Sequence, residues 1–275
     1  MIGQKDNLLL LEGIKERNEL PRFIILTGEP GSGKKTLARY IAKNIIGGYT
    51  VIANNGVDAV REIVENCYRC GVITVYLFLD ADKMSVQAKN ALLKITEEPP
   101  KQAYFIMTVE DINNTISTLK SRATEIKMLP YSQEELYEYC KSKNYKNTKL
   151  FDIASNIGQI EYLTTIDLDS FYAFCSKVLE NIGTVTGVNA MKIGTNFKFK
   201  EEATGYDPVI FLNCIMSICL SRVKSATTKR EIYEYFQIVR CCIKYKNELR
   251  ITGVKKESTF DMWILDARDI FKDTR

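Results

Sequence analysis

A glycine-rich turn between a short apolar run and a helical pattern constrains the fold of this chain more than any other feature. Residues 23–26 have the pattern of a buried strand, residues 28–34 are Gly-Glu-Pro-Gly-Ser-Gly-Lys, and residues 36–46 have helical spacing. This order directs several backbone N–H groups and the positive end of the helix to one point. The final lysine adds a fixed cation for the outer phosphates of a ligand. The pattern therefore predicts a nucleotide-binding loop rather than a simple strand-to-helix turn.

The position after that lysine departs from the usual pattern. Ser or Thr normally follows, because its hydroxyl binds Mg²⁺, but here Lys35 follows and the hydroxyl comes at Thr36. One residue along a helix is a rotation of about 100°, so Thr36 does not replace the missing hydroxyl without a local shift. We expect phosphate binding to survive this change better than metal-assisted hydrolysis does. The predicted nucleotide-binding residues are Gly28, Glu29, Pro30, Gly31, Ser32, Gly33, Lys34, Lys35 and Thr36.

The amino-acid composition excludes several kinds of chemistry. The 275 residues include no histidine, which excludes histidine triads, histidine general bases and histidine metal ligands. The eight cysteines are scattered, several within apolar helical runs, as is typical of reduced thiols in a cytoplasmic protein. Cys67 and Cys70 have the spacing of metal ligands, but no second pair lies nearby, so we expect no zinc. The net charge of +4 permits contact with nucleic acid without arguing for it.

The first half of the chain alternates between strand and helix patterns. Residues 72–79 form an apolar run typical of a strand that is buried on both faces of a parallel sheet. Further strands are predicted at residues 23–26, 49–53 and 103–109, and Ser85 is a predicted helix N-cap. This alternation predicts an α/β domain with a parallel sheet, in which ligands bind at the carboxyl ends of the strands.

The second half of the chain is predicted to be helical. Ser132 and Glu135 have the spacing of a capping box, and Asp207 followed by Pro208 has the pattern of a helix start. From residue 169 onward the helical pattern continues throughout. The fold class is therefore α/β followed by all-α.

Two further features of this half bear on its organisation. Short helices are predicted at residues 151–157 and 160–164, on either side of Gly158. The apolar run 209–220 is shorter than a membrane span, and no secretory leader opens the sequence. We therefore expect a soluble, cytoplasmic protein.

Four short motifs occur in an order that resembles one family. They are Asp-Ala-Asp-Lys-Met-Ser at residues 80–85, Asn-Ala-Leu-Leu-Lys at 90–94, Glu-Glu-Pro-Pro at 97–100 and Ser-Arg at 121–122. With the glycine-rich loop, they resemble the clamp-loader ATPase subunits of bacterial DNA polymerase III, most closely the delta-prime subunit. The resemblance covers residues 20–128, and beyond these only the helical character agrees.

The resemblance implies a AAA+ nucleotide-binding domain at residues 1–130, a helical lid at 131–168 and a helical collar for oligomerisation at 169–275. It implies a ring of clamp-loader AAA+ subunits that opens a sliding clamp and places it on primed DNA of any sequence. The family's Ser-Arg-Cys motif projects an arginine into the ATP site of the neighbouring subunit. Arg122 matches that arginine and Ala123 replaces the cysteine, so we predict that Arg122 is an arginine finger acting in trans.

Positions that active relatives use for hydrolysis are altered in this chain. Adjacent acids normally hold Mg²⁺ and polarise water, but here the two places fall on Leu79 and Asp80, or on Asp80 and Ala81 in a shifted register. The cation of the lid is missing after Gly158, where Gln, Ile and Glu follow. Thr108 is the candidate polar sensor at the end of a strand. We expect little ATP hydrolysis by this chain alone.

These departures leave ATP, ADP or an empty pocket open, with Thr36 and Asp80 as the groups available to Mg²⁺. An alternative is an autonomous AAA+ ATPase, of the active clamp-loader or helicase-loader type, in which Thr36, Asp80 and Asp82 rearrange around the metal. A small-molecule P-loop kinase lacks support, because acceptor-site arginines and a lid inserted in the sheet are missing. Lys83 and Lys89 lie on the segment that faces DNA in the family, although exposed helical lysines are usually only solvated.

Overall fold

The chain divides into two compact units, each made of two separate segments of the sequence. The computed structural model describes residues 2–69, 71–186, 189, 193–199, 205–251 and 254–272. One unit comprises residues 1–145 and 156–158, and the other comprises residues 146–155 and 159–275. The division into three domains expected from the sequence stays a prediction.

A parallel sheet forms the centre of the first unit. Within the described residues it has five strands in the order β2-β3-β4-β1-β5, and each pair of neighbours is parallel. The strands are β1 (Phe23–Thr27), β2 (Tyr49–Ile52), β3 (Thr74–Phe78), β4 (Ala103–Val109) and β5 (Thr124–Lys127). This arrangement confirms the predicted parallel α/β fold, and it brings the carboxyl ends of β1, β3 and β4 to one edge.

Helices cover both faces of this sheet because the strand residues alternate between two apolar layers. One layer includes Ile25, Tyr76, Phe78, Phe105 and Met107, and the other includes Ile24, Leu26, Val75, Leu77 and Ile106. The helices of this unit are α1 (Lys5–Glu16), α2 (Lys34–Tyr40), α3 (Val57–Asn66), α4 (Val86–Ala91), α5 (Leu93–Glu97), α6 (Ser117–Lys120) and α7 (Gln133–Ser142). Helices α1 and α2 pack on the second layer and α3 to α6 on the first. Because both faces are covered, every residue of β1 and β3 is buried and most of them are apolar.

The predicted helix starts agree with the structure. Ser85 Oγ accepts a hydrogen bond from the Ala88 N–H at the start of α4. Ser132 and Glu135 form a reciprocal capping box at the start of α7. A side-chain oxygen in this position satisfies N–H groups that the first helical turn leaves unpaired.

Strand β5 was not predicted from the sequence. Ile126 is its buried side chain, whereas Thr124 and Lys127 are exposed, so the segment lacks the apolar pattern of a central strand. Its pairing is long-range: Ile24 of β1 lies opposite Thr124, and Thr27 Oγ1 donates a hydrogen bond of 2.8 Å to Glu125 Oε1. A strand at the edge of a sheet needs only one buried face, and four residues are too few to show the alternation.

The second unit is helical. Its helices include α8 (Lys149–Ile153), the part of α9 (Ile157–Thr164) that begins at residue 159, α10 (Leu168–Asn181), α11 (Pro208–Ser225), α12 (Lys229–Glu248) and α13 (Lys256–Lys272). The predicted break at Gly158 is wrong in position, because α8 ends at Ile153 and Gly158 is the second residue of α9. Glycine at position 158 is therefore not required by a turn.

Helix α11 is long and strongly apolar. Asp207 accepts hydrogen bonds from the N–H groups of Val209 and Ile210, and Pro208 is the first helical residue, as predicted. The helix is longer than the apolar run 209–220, and its 18 residues with a mean hydropathy of 1.3 match a membrane span in length and composition. Half of it is buried inside the protein, which is also expected for a core helix, so the match is weak evidence for a span.

Candidate functional site

The predicted phosphate loop connects β1 to α2 at the carboxyl edge of the sheet. Gly31 and Gly33 have φ angles of +79° and +90°, a conformation that side-chain-bearing residues rarely adopt. Gly33 is the N-cap of α2, so the loop ends on the positive end of that helix. The loop therefore has the backbone form that an anion-binding turn requires.

Gly158 packs directly against this loop within the first unit. Its N–H donates a hydrogen bond of 3.1 Å to the carbonyl of Gly31. A Cβ on Gly158 would lie 2.3 Å from Gly31 Cα, and a Cβ on Gly31 would lie 2.9 Å from Gly158 Cα. Asn156 Nδ2 and the Tyr131 hydroxyl hold the neighbouring carbonyls of Pro30 and Ser32, at 3.2 and 3.1 Å. Glycine at 158 is thus explained by a close backbone contact.

Lys34 is buried beneath the loop. Its Nζ donates hydrogen bonds to the carbonyls of Gly28 at 2.6 Å and Glu29 at 2.8 Å, and the residue is 7% exposed. Burial lowers the pKa of Lys34 below its usual value of 10.5, and the charges of Glu110, Asp82 and Asp80 oppose this shift. The ammonium group is therefore fixed at the base of the cradle.

Lys35 forms an ion pair with Asp80, the acidic residue that follows β3. The distance from Lys35 Nζ to Asp80 Oδ2 is 2.5 Å, and both side chains are partly exposed. Asp80 has a left-handed backbone with φ +54°, and its N–H donates a hydrogen bond of 2.8 Å to Thr108 Oγ1. Thr108 is fully buried. From its place near the end of β4, Thr108 anchors the backbone of Asp80.

Asp82 is occupied by hydrogen bonds to its own surroundings. Its Oδ2 accepts from the Glu110 N–H at 2.8 Å, and its Oδ1 accepts from Asn114 Nδ2 at 3.2 Å. Asp82, which the sequence offered as an alternative metal ligand, therefore holds the segment after β4.

Part of the loop, both lysines and Asp80 line a cavity of about 530 Å³ that lies within the first unit, whereas the described lining does not include Gly28, Glu29, Ser32 or Thr108. This volume is within the range of about 300–1,000 Å³ usual for small-molecule sites. The lining residues are Ile2, Pro30, Gly31, Gly33, Lys34, Lys35, Thr36, Asp80, Glu110, Tyr131, Tyr139, Ile157 and Gly158. The structure thus brings Thr36 and Asp80 together with the loop, as the sequence predicts for one site.

The cradle fits a nucleoside phosphate. Ser32 Oγ is buried within the loop and has no hydrogen-bond partner among the residues that the structure describes, and Lys34 supplies a fixed cation nearby. Such an unsatisfied hydroxyl is costly unless a ligand or water completes it. The loop backbone and Lys34 would hold the phosphates, while Tyr131 and Tyr139 supply aromatic surface in the same cavity. A nucleotide bound there would supply a phosphoanhydride next to Thr36 and Asp80.

Magnesium does not fit the same residues in this arrangement. Lys35 stands where the usual motif has a hydroxyl side chain. Its ammonium group is paired with Asp80, the carboxylate that would face the metal. A divalent cation prefers oxygen ligands and is repelled by a neighbouring ammonium group.

Arg122 lies just after α6, and among the described residues the cavity lining does not include it. Its guanidinium forms an ion pair of 2.7 Å with Glu97 Oε1 and donates a hydrogen bond of 2.7 Å to the carbonyl of Thr118. About one third of the Arg122 side chain is exposed. This chain's own phosphate loop and the predicted finger are therefore separate sites.

Lys83 and Lys89, which lie on the segment predicted to face DNA, differ in burial. Lys83 is exposed, whereas Lys89 is buried and donates a hydrogen bond of 2.7 Å to the carbonyl of Asn114, so Lys89 does not face solvent. Cys67 is buried and its thiol donates to the carbonyl of Val64, and Cys70 lies outside the described residues. Across the parts of the chain that the structure describes, no three His, Cys, Asp or Glu side chains are grouped to hold a metal ion.

Sequence reasoning missed several residues of the cavity. Glu110 follows β4 at the same edge as Asp80, so the strand pattern contained enough information to find it. Tyr131 and Ile157 reach the cavity through long-range packing, for which the sequence offers no local signal.

The parallel sheet, the phosphate loop at its carboxyl edge and the helical second unit give the chain the fold of P-loop proteins of the AAA+ class. Among solved structures, the RuvB Holliday junction branch migration motor of Thermotoga maritima matches with a TM-score of 0.50. It is 18% identical, and the match covers 79% of this chain and 77% of that chain. At this identity the likeness concerns the fold alone.

Within this class, the chain is similar to clamp-loader subunits, which confirms the resemblance stated from the sequence. The family model described as DNA polymerase III, delta subunit, matches residues 50–132. DNA polymerase III subunit gamma of Buchnera aphidicola is 28% identical over 182 residues, 55% of this chain and 50% of the relative. A replication factor C small subunit of Archaeoglobus fulgidus is 26% identical over 54% of this chain and 52% of the relative. The chain thus spans about half the length of these relatives.

Proposed function

We propose that this chain is a clamp-loader subunit of the delta-prime type, which hydrolyses ATP poorly and completes the ATP site of a neighbouring subunit. It acts in the cytoplasm with other clamp-loader AAA+ subunits, a sliding clamp and primed DNA. The similarity to DNA polymerase III and replication factor C subunits supports the clamp-loader class. The observation that carries the proposal is the Lys35–Asp80 ion pair inside an otherwise well-formed phosphate cradle.

Poor hydrolysis follows from the charges around the cradle. Hydrolysis needs a metal ion on the phosphates and an acid that polarises water. The carboxylate of Asp80 is paired with Lys35, and both oxygens of Asp82 are hydrogen-bonded elsewhere. These occupied acids favour the non-hydrolysing subunit over the alternative of an autonomous ATPase that uses Thr36, Asp80 and Asp82.

Arg122 is available to a neighbour at little energetic cost. Its partner Glu97 is more than half exposed, and exposed ion pairs contribute only about 0–1 kcal/mol. A phosphate of a neighbouring subunit therefore competes easily with Glu97 for the guanidinium. An arginine finger supplied in trans accelerates phosphoryl transfer by about 10³–10⁵.

Replacing Arg122 tests the proposed role. Arg122→Ala is expected to reduce the DNA-stimulated ATP turnover of the reconstituted loader by about 10³-fold or more at the site that it completes, because the charge developing on the phosphoryl group loses its counter-ion. The measurement is steady-state phosphate release by the chain assembled with its ATPase partners, a sliding clamp and primed DNA.

The matched control is Arg61→Ala, which removes an arginine that is also exposed and paired, here with Asp58. Turnover should be unaffected by this substitution, and the assembly should form with either variant. Equal turnover of the wild-type and Arg122→Ala assemblies would remove the finger from the account.

A further inference from the structure

A cation already lies where the AAA+ pattern expects magnesium. Lys35 occupies the position of the metal-binding hydroxyl, and its Nζ is 2.5 Å from Asp80 Oδ2. Both residues line the cavity of the phosphate loop. The chain thus supplies its own positive charge at the point where active relatives recruit one from solution.

Asp80 and Asp82 are already engaged by other groups, although Thr36 and Glu110 also line the cavity. Asp80 is paired with the ammonium group, and Asp82 accepts from the Glu110 N–H and from Asn114. Mg²⁺ demands a nearly complete octahedron of oxygens and binds poorly beside a fixed positive charge. A metal would therefore have to displace Lys35 before it could approach Asp80.

We infer that this pocket binds a nucleoside polyphosphate without a divalent cation, and that the Lys35 ammonium group takes the place of the metal. The inference rests on the proposed nucleotide pocket and concerns how its charge is balanced. Lys34 is fixed at the base of the cradle, and Lys35 stands at its rim on a flexible four-carbon side chain. A lysine acts on phosphate as a point charge, so Lys35 adds a second positive charge to that of Lys34, which the usual motif already has.

The pairing with Asp80 also orients Lys35 before the ligand arrives. Thr108 holds the backbone of Asp80, which fixes the carboxylate at the end of β3. The ammonium group has three donors, so it can keep Asp80 and still donate to a phosphate oxygen. Asp80 therefore acts as a positioning residue for Lys35.

Binding of methylanthraniloyl-ADP to the full chain tests this inference, measured by fluorescence in excess MgCl₂ and in excess EDTA. For the wild type, the two dissociation constants are expected to agree within about twofold. Lys35→Ser restores the hydroxyl of the usual motif and frees Asp80, so this variant should bind about tenfold more tightly with Mg²⁺ than with EDTA. Lys43→Ser is the matched control, because Lys43 is an exposed lysine in the helical turns that directly follow α2. The Lys43→Ser variant should bind as the wild type does in both buffers.

The outcomes separate this inference from the pocket on which it rests. Wild-type binding that requires Mg²⁺ would overturn the inference and leave the nucleotide pocket standing. No binding in either buffer would overturn both. The wild-type comparison decides the question even where a variant folds poorly.

Discussion

At the scale of single residues, the charges that meet at the carboxyl edge of the sheet determine what the cradle can do. Lys34 is held by two loop carbonyls, Lys35 is held by Asp80, and Asp82 is held by a backbone N–H and an amide. These lysines and acids are thus engaged within the chain itself. We expect such contacts to permit binding and to oppose hydrolysis, because only hydrolysis needs the acids free.

Lys34 predicts how nucleotide affinity changes with pH. Its buried ammonium group has a lowered pKa, so it loses its proton at a lower pH than a lysine of the ordinary value of 10.5. Since only the charged form attracts phosphate, affinity for methylanthraniloyl-ADP should fall as the pH rises from neutral toward that lowered pKa. Titrations at several pH values measure this decline.

The substitution Lys34→Arg is the comparison for this titration, because a guanidinium stays charged throughout. The arginine variant should bind with an affinity that changes less across the same range. Lys34→Ala should lose about 10–100-fold in affinity at neutral pH, as expected for a hydrogen bond to a charged group. A Lys34→Ala variant that binds as tightly as the wild type would show that Lys34 does not contact the ligand.

At the scale of elements, local patterns predicted most of the first unit and failed where long-range contacts decide. The phosphate loop, the Ser85 cap and the capping box of α7 are written in neighbouring residues, and the structure has them as predicted. Strand β5 depends on pairing with β1, 98 residues away at Thr27 and Glu125. The packing of Gly158 against Gly31 likewise has no local signal, so its glycine was interpreted as a helix break.

Two glycine-to-alanine substitutions test the contact between Gly158 and the loop. Gly158→Ala places a methyl group 2.3 Å from Gly31 Cα, so we expect a destabilisation of about 1–3 kcal/mol and weakened nucleotide binding. Gly13→Ala in α1 meets no atom within 4 Å and should stabilise the chain by about 0.5–1 kcal/mol. Urea unfolding gives both values, and equal stabilisation by the two substitutions would contradict the described packing.

At the scale of the whole molecule, the two units have separate cores, and we expect them to have separate tasks. The cavity and Arg122 belong to the first unit, and an aromatic cluster holds the second. In that cluster Phe211 is fully buried and contacts Phe197, Phe260 and Trp263, with ring centroids 4.8, 5.7 and 5.4 Å away. The helical nature of the second unit was predicted from apolar spacing, whereas the partners of each aromatic ring were not, since they come from distant parts of the chain.

Phe211→Ala tests this division of tasks. Removing a buried phenylalanine should destabilise the second unit by about 3–5 kcal/mol. Nucleotide affinity under native conditions should stay within about twofold of the wild type, because all residues that line the cavity lie in the first unit. Circular dichroism during urea unfolding measures the first quantity, and a large loss of affinity in the folded variant would argue against separate tasks.

We propose that this chain has a phosphate cradle but hydrolyses ATP poorly by itself. The most direct test is release of inorganic phosphate by the full chain alone, with saturating ATP and Mg²⁺. We predict a rate no higher than that of Lys34→Ala purified in the same way. Rapid, magnesium-dependent phosphate release that disappears in Lys34→Ala would contradict the account.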